Sequence, residues 1–424
     1  TSVCQGRLMC AARLMFVEHT GQIAGAELIL LDVVQRWKGA SAFLFEDGPL
    51  ASALRDRQLK VMLSRSGQGL AQIRRDSSLL KAIPLIGRLG SIVIEIARAD
   101  ASIGALLCFH LYNSAVPLFH DFVGNNAEIV RKATAQRWFW GNITQYVNRE
   151  FLAEPHPEGG YLISGSKKWN TGAPLAEITT VLAEHSDHTH FLYGFVPTDR
   201  EGIRFHDDWE PIGLRGADSS TVTFDRVRLY PDEVIPWKHA GRQRTVLPFW
   251  TIFGALYYSA VYLGSALAAL DAARDYARHD GRQSIMPGAG SIAGDALVQT
   301  QYAGYWLQVE AGLGYFDRFI ADLQERWDAR ASITEDQLAE LSVKSLGLRS
   351  FASQVALEVA PRVFEFAGGR GALDQKHFDR FWRDARTLAS HDPLVYSLRM
   401  VGDYAINGTL PRFPSRFPET AAGR

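Results

Sequence analysis

Two histidines, an asparagine, a threonine and two arginines in this chain of 424 residues have side chains suited to proton transfer and anion binding. His391 lies in Ser390-His391-Asp392-Pro393, where an imidazole of near-neutral pKa can donate a hydrogen bond and then pass a proton on. Its alternative role is that of a histidine packed at a helix kink before Pro393 and satisfied by a backbone carbonyl. His110 sits in Cys108-Phe109-His110-Leu111-Tyr112. On an apolar helix such a residue either faces a pocket or is a satisfied part of the core. Asn142 offers donor and acceptor together, and Thr171 a hydroxyl beside the wide ring of Trp169; structural turn positions are the alternative for these. Arg282 and Arg370 carry the paired N–H donors that grip phosphate, or else are solvated helix-end charges. Gly368 and Gly369 precede Arg370 in Glu365-Phe366-Ala367-Gly368-Gly369-Arg370-Gly371.

The elements that must position these residues change in character along the chain. Residues 14–19 and 42–46 read as strands, separated by a glycine turn at 21–25 and an amphipathic helix at 26–37. Strand, turn, helix, strand is the start of a parallel α/β sheet. Residues 100–122 are helical in pattern, and 138–237 are strand and turn, with a hairpin turn at 157–160 and an apolar strand at 191–197. Four long helical patterns follow at 246–278, 294–330, 335–366 and 376–406. Thr334 with Gln337 makes a capping box for the third. The natural packing is an antiparallel four-helix bundle. The expected divisions are thus a partial α/β segment at 1–98, a helical remnant at 99–137, a β-domain at 138–240 and a helical bundle at 241–415.

The segments Trp138-Phe139-Trp140-Gly141-Asn142, Lys167-Lys168-Trp169-Asn170-Thr171-Gly172 and Gly213-Leu214-Arg215-Gly216-Ala217-Asp218-Ser219-Ser220 resemble the middle domain of the acyl-CoA dehydrogenase superfamily. The stretch from Asp379-Arg380-Phe381-Trp382 to Ser390-His391-Asp392-Pro393 resembles its oxygen-using branch, the dibenzothiophene monooxygenases and related sulfur-acquisition oxidoreductases. The resemblance covers about residues 98–415. It implies an acyl-CoA dehydrogenase-like fold of helix, middle β-barrel domain and C-terminal four-helix bundle. It also implies a flavin-dependent monooxygenase in which reduced flavin and O2, through a C4a-hydroperoxide, oxygenate a small apolar substrate.

On that resemblance His391 and Thr171 steady the peroxide, and Asn142 with His110 orients the acceptor. Asn142, Trp169 and Thr171 line the flavin, while Arg282, Gly368, Gly369 and Arg370 hold its phosphate. Glu365 replaces the Gln of the superfamily's Gln-x-x-Gly-Gly-x-Gly loop, which suits FMN better than the dinucleotide tail of FAD, the alternative cofactor. No complete dinucleotide motif for NAD(P)H is visible near the flavin region, so a separate NAD(P)H:flavin reductase is implied, as is a homotetramer.

Two other functions stay open from sequence. An FAD-dependent acyl-CoA dehydrogenase needs a carboxylate base, and residues 387–396 contain no Glu, while Asn407 precedes Gly408-Thr409 where a Glu would be wanted. A non-catalytic flavin-binding protein follows if the replaced N-terminus abolishes turnover. Residues 1–98 themselves resemble the opening of a two-Rossmann-domain glycosyltransferase, with the turn 21–27 after its first strand. No second sugar-nucleotide domain follows, so sugar transfer is not expected. This α/β segment stands where the superfamily's first helices belong, by natural fusion or by a mis-joined frame.

Composition narrows the field. Lys plus Arg number 45 against 46 Asp plus Glu, so no overall field draws nucleic acid or an anionic membrane. A hydrophobic share of 47% and a charged share of 21% are those of a soluble globular protein. Cys4, Cys10 and Cys108 have no zinc-binding spacing, so no metal is expected and the thiols suit a reducing cytoplasm. No run approaches the roughly 20 consecutive apolar residues of a bilayer span, and a cytoplasmic location is the expectation.

Overall fold

The computed structural model describes residues 15–18, 41–44, 48–57, 60–63, 86–117, 125–145, 150–235, 242–280, 290–330 and 332–411. Contacts divide the chain into two units, Thr1–Glu95 and Ile96–Arg424. In the first, β1 (Met15–Glu18), β2 (Ser41–Leu44) and β3 (Lys60–Leu63) pair in parallel in that order, with helix α1 (Pro49–Asp56) between the last two. Pro49 opens α1, where its missing N–H costs nothing, and Leu50, Ala51 and Leu54 form its buried face. The parallel α/β reading therefore describes these strands, with β3 as an unforeseen third. The turn at 21–25 and the helix at 26–37 lie outside the described residues.

Helix α2 (Ile86–Ala99) contains the division between the units. The second unit continues with α3 (Ala101–Ser114), and residues 118–122 of the predicted helical stretch 100–122 lie outside the described residues. The Asp100 carboxylate caps it by accepting from the N–H groups of Ser102 and Ile103 at 2.8 and 3.1 Å. After α4 (Asn125–Gln136) come eight strands: β4 (Trp140–Ile143), β5 (Leu152–Pro155), β6 (Tyr161–Lys167), β7 (Ile178–His185), β8 (Phe191–Pro197), β9 (Ile203–Phe205), β10 (Val222–Leu229) and β11 (Val234–Ile235). They form one sheet in the order β11-β8-β7-β5-β6-β10-β9, with β4 also on β7. Its ends, β9 and β11, are not paired with each other, so the predicted barrel is a curled sheet wrapped on a core of Ile143, Phe151, Ile163, Val181, Val196 and Phe224. The hairpin turn between β5 and β6 needs glycine: Gly160 has φ 69°, and a Cβ there would lie 2.2 Å from the Leu229 carbonyl oxygen.

The helical region is more broken than four rods. It contains α5 (Arg242–Asp275), α6 (Ala296–Asp328), α7 (Glu335–Val359), α8 (Val363–Gly371), α9 (Asp379–Ala389) and α10 (Leu394–Asn407). The predicted helix 335–366 breaks at the 3-10 turn Ala360–Arg362, and 376–406 breaks at 390–393. Pro361 and Pro393 cause these breaks, because proline lacks an N–H and crowds the residue before it. The capping box at Thr334 and Gln337 is formed as read from sequence. α7 packs most extensively on α5. The stretch Phe249–His279, in α5 and its continuation, is long and apolar enough for a membrane span, with mean hydropathy 1.4, but that window is 100% buried in protein. Contrary to the expectation that no apolar run approaches bilayer length, Phe249–Leu270 carries no charged residue, and this helix lies buried within the bundle.

Candidate active site

β4 pairs in parallel with β7, Asn142 opposite Thr180. The Asn142 N–H donates to the Thr171 carbonyl at 3.3 Å, and its Oδ1 accepts from Thr144 Oγ1 at 2.7 Å, which leaves the amide NH2 as a donor. Thr171 follows β6, and its hydroxyl lies 2.8 Å from that of Ser219. All three residues are buried. An amide and two hydroxyls enclosed in this way form a built hydrogen-bonding edge, since buried polar groups are costly unless they find partners.

Two loops hold that edge in place. Asn170 donates through Nδ2 to the carbonyls of Lys167 and Ser220, both at 2.8 Å, and so joins segment 167–172 to 218–220. Leu214 and Asp218, at φ 53° and 36°, give the second loop left-handed turns that side chains adopt only under constraint. The constraint comes from two helices. Gly216 N–H donates to Ser102 Oγ of α3 at 3.3 Å, and Leu214 N–H to Asp384 Oδ1 of α9 at 2.6 Å. Burial pushes the Asp384 carboxyl up to about 6, against the Leu214 hydrogen bond. Gly213 is equally fixed, since a Cβ there would lie 2.2 Å from the Arg383 carbonyl carbon and oxygen. Beneath the first loop Lys167 is fully buried, with its ammonium 2.6 Å from the Gln145 carbonyl and 4.8 Å from the centre of the Phe151 ring; burial lowers its pKa to about 7.

His110 is on α3, and His391 packs against the same helix at Phe109. His110 Nδ1 accepts from the Trp140 N–H at 3.1 Å, and the ring stacks on Phe139 at 4.9 Å. Burial lowers its pKa to about 4, with the Glu177 charge opposing. At neutral pH His110 is therefore uncharged, and because Nδ1 accepts, its proton is on Nε2. His391 lies between α9 and α10 and is half-exposed. Its ring is 6.0 Å from that of Phe109 and 5.1 Å from that of Tyr258. Its Nδ1 is 3.2 Å from Asp392 Oδ2, which also accepts from Arg349 Nη1 at 3.1 Å. Burial works to raise the Asp392 pKa, but the His391 hydrogen bond and the Arg349 guanidinium outweigh it and hold the carboxyl well below its usual range.

The remaining sequence candidates are placed differently. Trp169, at φ 66°, is 56% exposed and meets Trp209 edge-on at 5.8 Å, while Trp209 Nε1 donates to the Leu214 carbonyl. The predicted glycine loop at 365–371 is helix, broken at Gly368 (φ 56°, ψ −151°), with Gly369 in open space and Arg370 exposed. Glu365 is engaged by Arg362, Gln301 and Tyr305. Among the described residues no hydrogen bond, ion pair or ring contact links Arg370 to Asn142 or Thr171. Arg282 lies outside the described residues. Sequence reasoning did not single out Ser219, Asn170, Asp384, Lys167 or Arg349. Four of these lie inside or beside the quoted motifs, whereas nothing local marks Arg349 on α7.

Residues 147–227 match the family described as acyl-CoA dehydrogenase, middle domain, and residues 256–395 that described as acyl-CoA dehydrogenase, C-terminal domain. A dibenzothiophene monooxygenase of Mycolicibacterium goodii is 32% identical over 338 residues, covering 76% of this chain and 80% of that protein. The probable FMNH2-dependent monooxygenase SfnC of Pseudomonas putida is 28% identical over 76% of this chain and 81% of its own length. Among solved structures, FMN-bound TdsC from Paenibacillus sp. A11-2 superposes with a TM-score of 0.72 at 29% identity, covering 80% of this chain and 90% of that one. The chain belongs to the acyl-CoA dehydrogenase family. Within it, the chain is an oxidoreductase of the flavin-dependent monooxygenase branch. The glycosyltransferase likeness of residues 1–98 finds no support.

Proposed function

We propose that this chain uses reduced FMN, delivered by a separate NAD(P)H:flavin reductase, to place one atom of O2 in a small, largely apolar acceptor at sulfur, nitrogen or carbon. The observation that carries the proposal is the buried donor set of Asn142, Thr171 and Ser219, whose chemistry fits the polar edge of an isoalloxazine ring. The bound flavin would supply two electrons, one oxygen atom entering the acceptor and the other leaving as water. Asn142 and Thr171 would hold the ring edge and Trp169 would cover a ring face. Arg282 and Arg370, with Gly368 and Gly369, would bind the phosphate.

The protein's own proton chemistry rests on the histidines. Asp392 accepts from His391 Nδ1–H, which orients the ring and leaves Nε2 to exchange a proton. His110 presents Nε2–H as a fixed neutral donor that orients the acceptor. A homotetramer in which the phosphate site of one protomer serves the flavin of the next belongs to the same reading. A cytoplasmic setting belongs to the same proposal, since reduced flavin must arrive from the reductase.

Thioester dehydrogenation is not favoured. Asp392 is the only carboxylate in 387–396, and one held that far below its usual range is too weak a base for an α-proton. The test supplies FMN, a flavin reductase and isotopically labelled O2, with dibenzothiophene and indole as probe acceptors. One labelled oxygen in the product is expected. Anaerobic bleaching of the flavin by an acyl-CoA thioester, with no labelled product, would reverse the reading.

A further inference from the structure

The turn joining β7 to β8 gathers ligand atoms that the flavin chemistry does not use. Its sequence is Glu184-His185-Ser186-Asp187-His188-Thr189-His190. His185 and His190 face each other across the hairpin: the His185 N–H donates to the His190 carbonyl at 2.8 Å, and the two imidazoles stack 4.6 Å apart at 22°. Asp187 bends back onto His185. One ligand atom from each of His185, Asp187 and His190 lies within 4.8 Å of the other two.

The hydrogen bonds in this turn make conflicting demands on one nitrogen. Asp187 Oδ1 lies 2.7 Å from His185 Nδ1, which requires a proton or a cation between two atoms that otherwise only accept. The Asp187 N–H points at the same nitrogen from 3.3 Å, which requires it bare. A metal ion held by a bare His185 nitrogen and the Asp187 carboxylate supplies the cation between Nδ1 and Oδ1, and its bond to the single Nδ1 lone pair replaces the long Asp187 N–H contact. Thr189 supports the arrangement: its N–H and hydroxyl reach Asp187 Oδ1 at 2.9 and 2.6 Å, and its hydroxyl oxygen lies 2.7 Å from His190 Nδ1. Such bonds orient metal-ligating side chains. Ligand atoms about 2.0–2.2 Å from a tetrahedral ion lie about 3.3 Å apart, so the His185–Asp187 pair at 2.7 Å opens by about 0.6 Å and any longer separation closes by at most about 1.5 Å, with the exposed Asp187 side chain free to adjust. A second carboxylate adds to the local negative charge: Glu184 is buried, with Oε1 3.1 Å from His188 Nδ1 and no partner for Oε2.

We propose that His185, Asp187 and His190 form a divalent transition-metal site, of the imidazole-and-carboxylate class that takes Zn2+, Cu2+ or Ni2+. The site is separate from the flavin. Thr180, the partner of Asn142, is five residues back along β7 from His185, about 17 Å in an extended strand. The bound ion clamps the ends of β7 and β8 together and leaves at least one coordination position to solvent.

The experiment titrates Cu2+ into the tag-free, full-length protein, followed by electron paramagnetic resonance, with Zn2+ as competitor and thermal unfolding as a second readout. The proposal expects one Cu2+ per chain with a two-nitrogen signature, displaced by Zn2+, and a rise in Tm with Zn2+. His190→Gln loses one nitrogen from the signature and at least tenfold in affinity, Asp187→Asn weakens binding with both nitrogens kept, and both variants bind FMN as the wild type does. No stoichiometric Cu2+ uptake would overturn the site. So would uptake of equal affinity and signature in His185→Gln/His190→Gln, which would identify the copper as adventitious.

Discussion

His110 on α3 and His391 beside it lie in different environments. His110 is locked neutral by burial and by the Trp140 N–H on its Nδ1, while His391 is half-exposed with a carboxylate on Nδ1. A histidine whose folded pKa is about 4, below the ordinary 6.5, contributes stability that is complete above pH 6.5 and is lost as pH falls from there through 4. His110→Gln removes that dependence. Between pH 7 and pH 4.5 the wild type should therefore lose about 2 kcal/mol more than the variant, as measured by urea unfolding. Equal losses would show that His110 is not held neutral. The residue types at the site were legible in the sequence because each sits in a short motif. Their partners were not: Thr171 meets Ser219 48 positions away, and His110 meets a backbone N–H 30 positions away. No local pattern encodes such a contact.

At the scale of elements, the edge proposed to face the flavin depends on the loop 213–220 being pressed against α9. Gly213→Ala puts a methyl group against the Arg383 backbone, which cannot yield as a flexible side chain can. It should cost about 1–3 kcal/mol and weaken FMN binding, measured by quenching of flavin fluorescence, with far-ultraviolet circular dichroism unchanged. Unaltered FMN affinity would mean that the loop does not shape the site. The strand-and-turn character of 138–237 and the helical region followed from alternation and helical periodicity, and the capping box at Thr334 formed as read, whereas the strand order was not legible. Periodicity alone ran two helices through Pro361 and Pro393, although proline chemistry marks both breaks. The second break frees His391 from helix and leaves its ring beside those of Phe109 and Tyr258.

At the scale of the molecule, the middle and C-terminal domains carry the family likeness, and the parallel strands of the first unit stand outside the matched residues 147–227 and 256–395. On the proposed reading, a flavin site shared between neighbouring protomers is completed in a homotetramer, and sedimentation velocity should show one. A monomer that binds FMN fully would contradict that arrangement. The central claim is that this chain holds reduced flavin so that oxygen reacts productively, with His391 supporting the step. The most direct measurement mixes anaerobically reduced, FMN-loaded protein with oxygenated buffer and follows absorbance on the millisecond-to-second scale. The account predicts a transient spectrum distinct from both reduced and oxidised flavin, decaying about tenfold or more faster in His391→Ala. A wild-type protein that returns straight to oxidised flavin with no transient would contradict it.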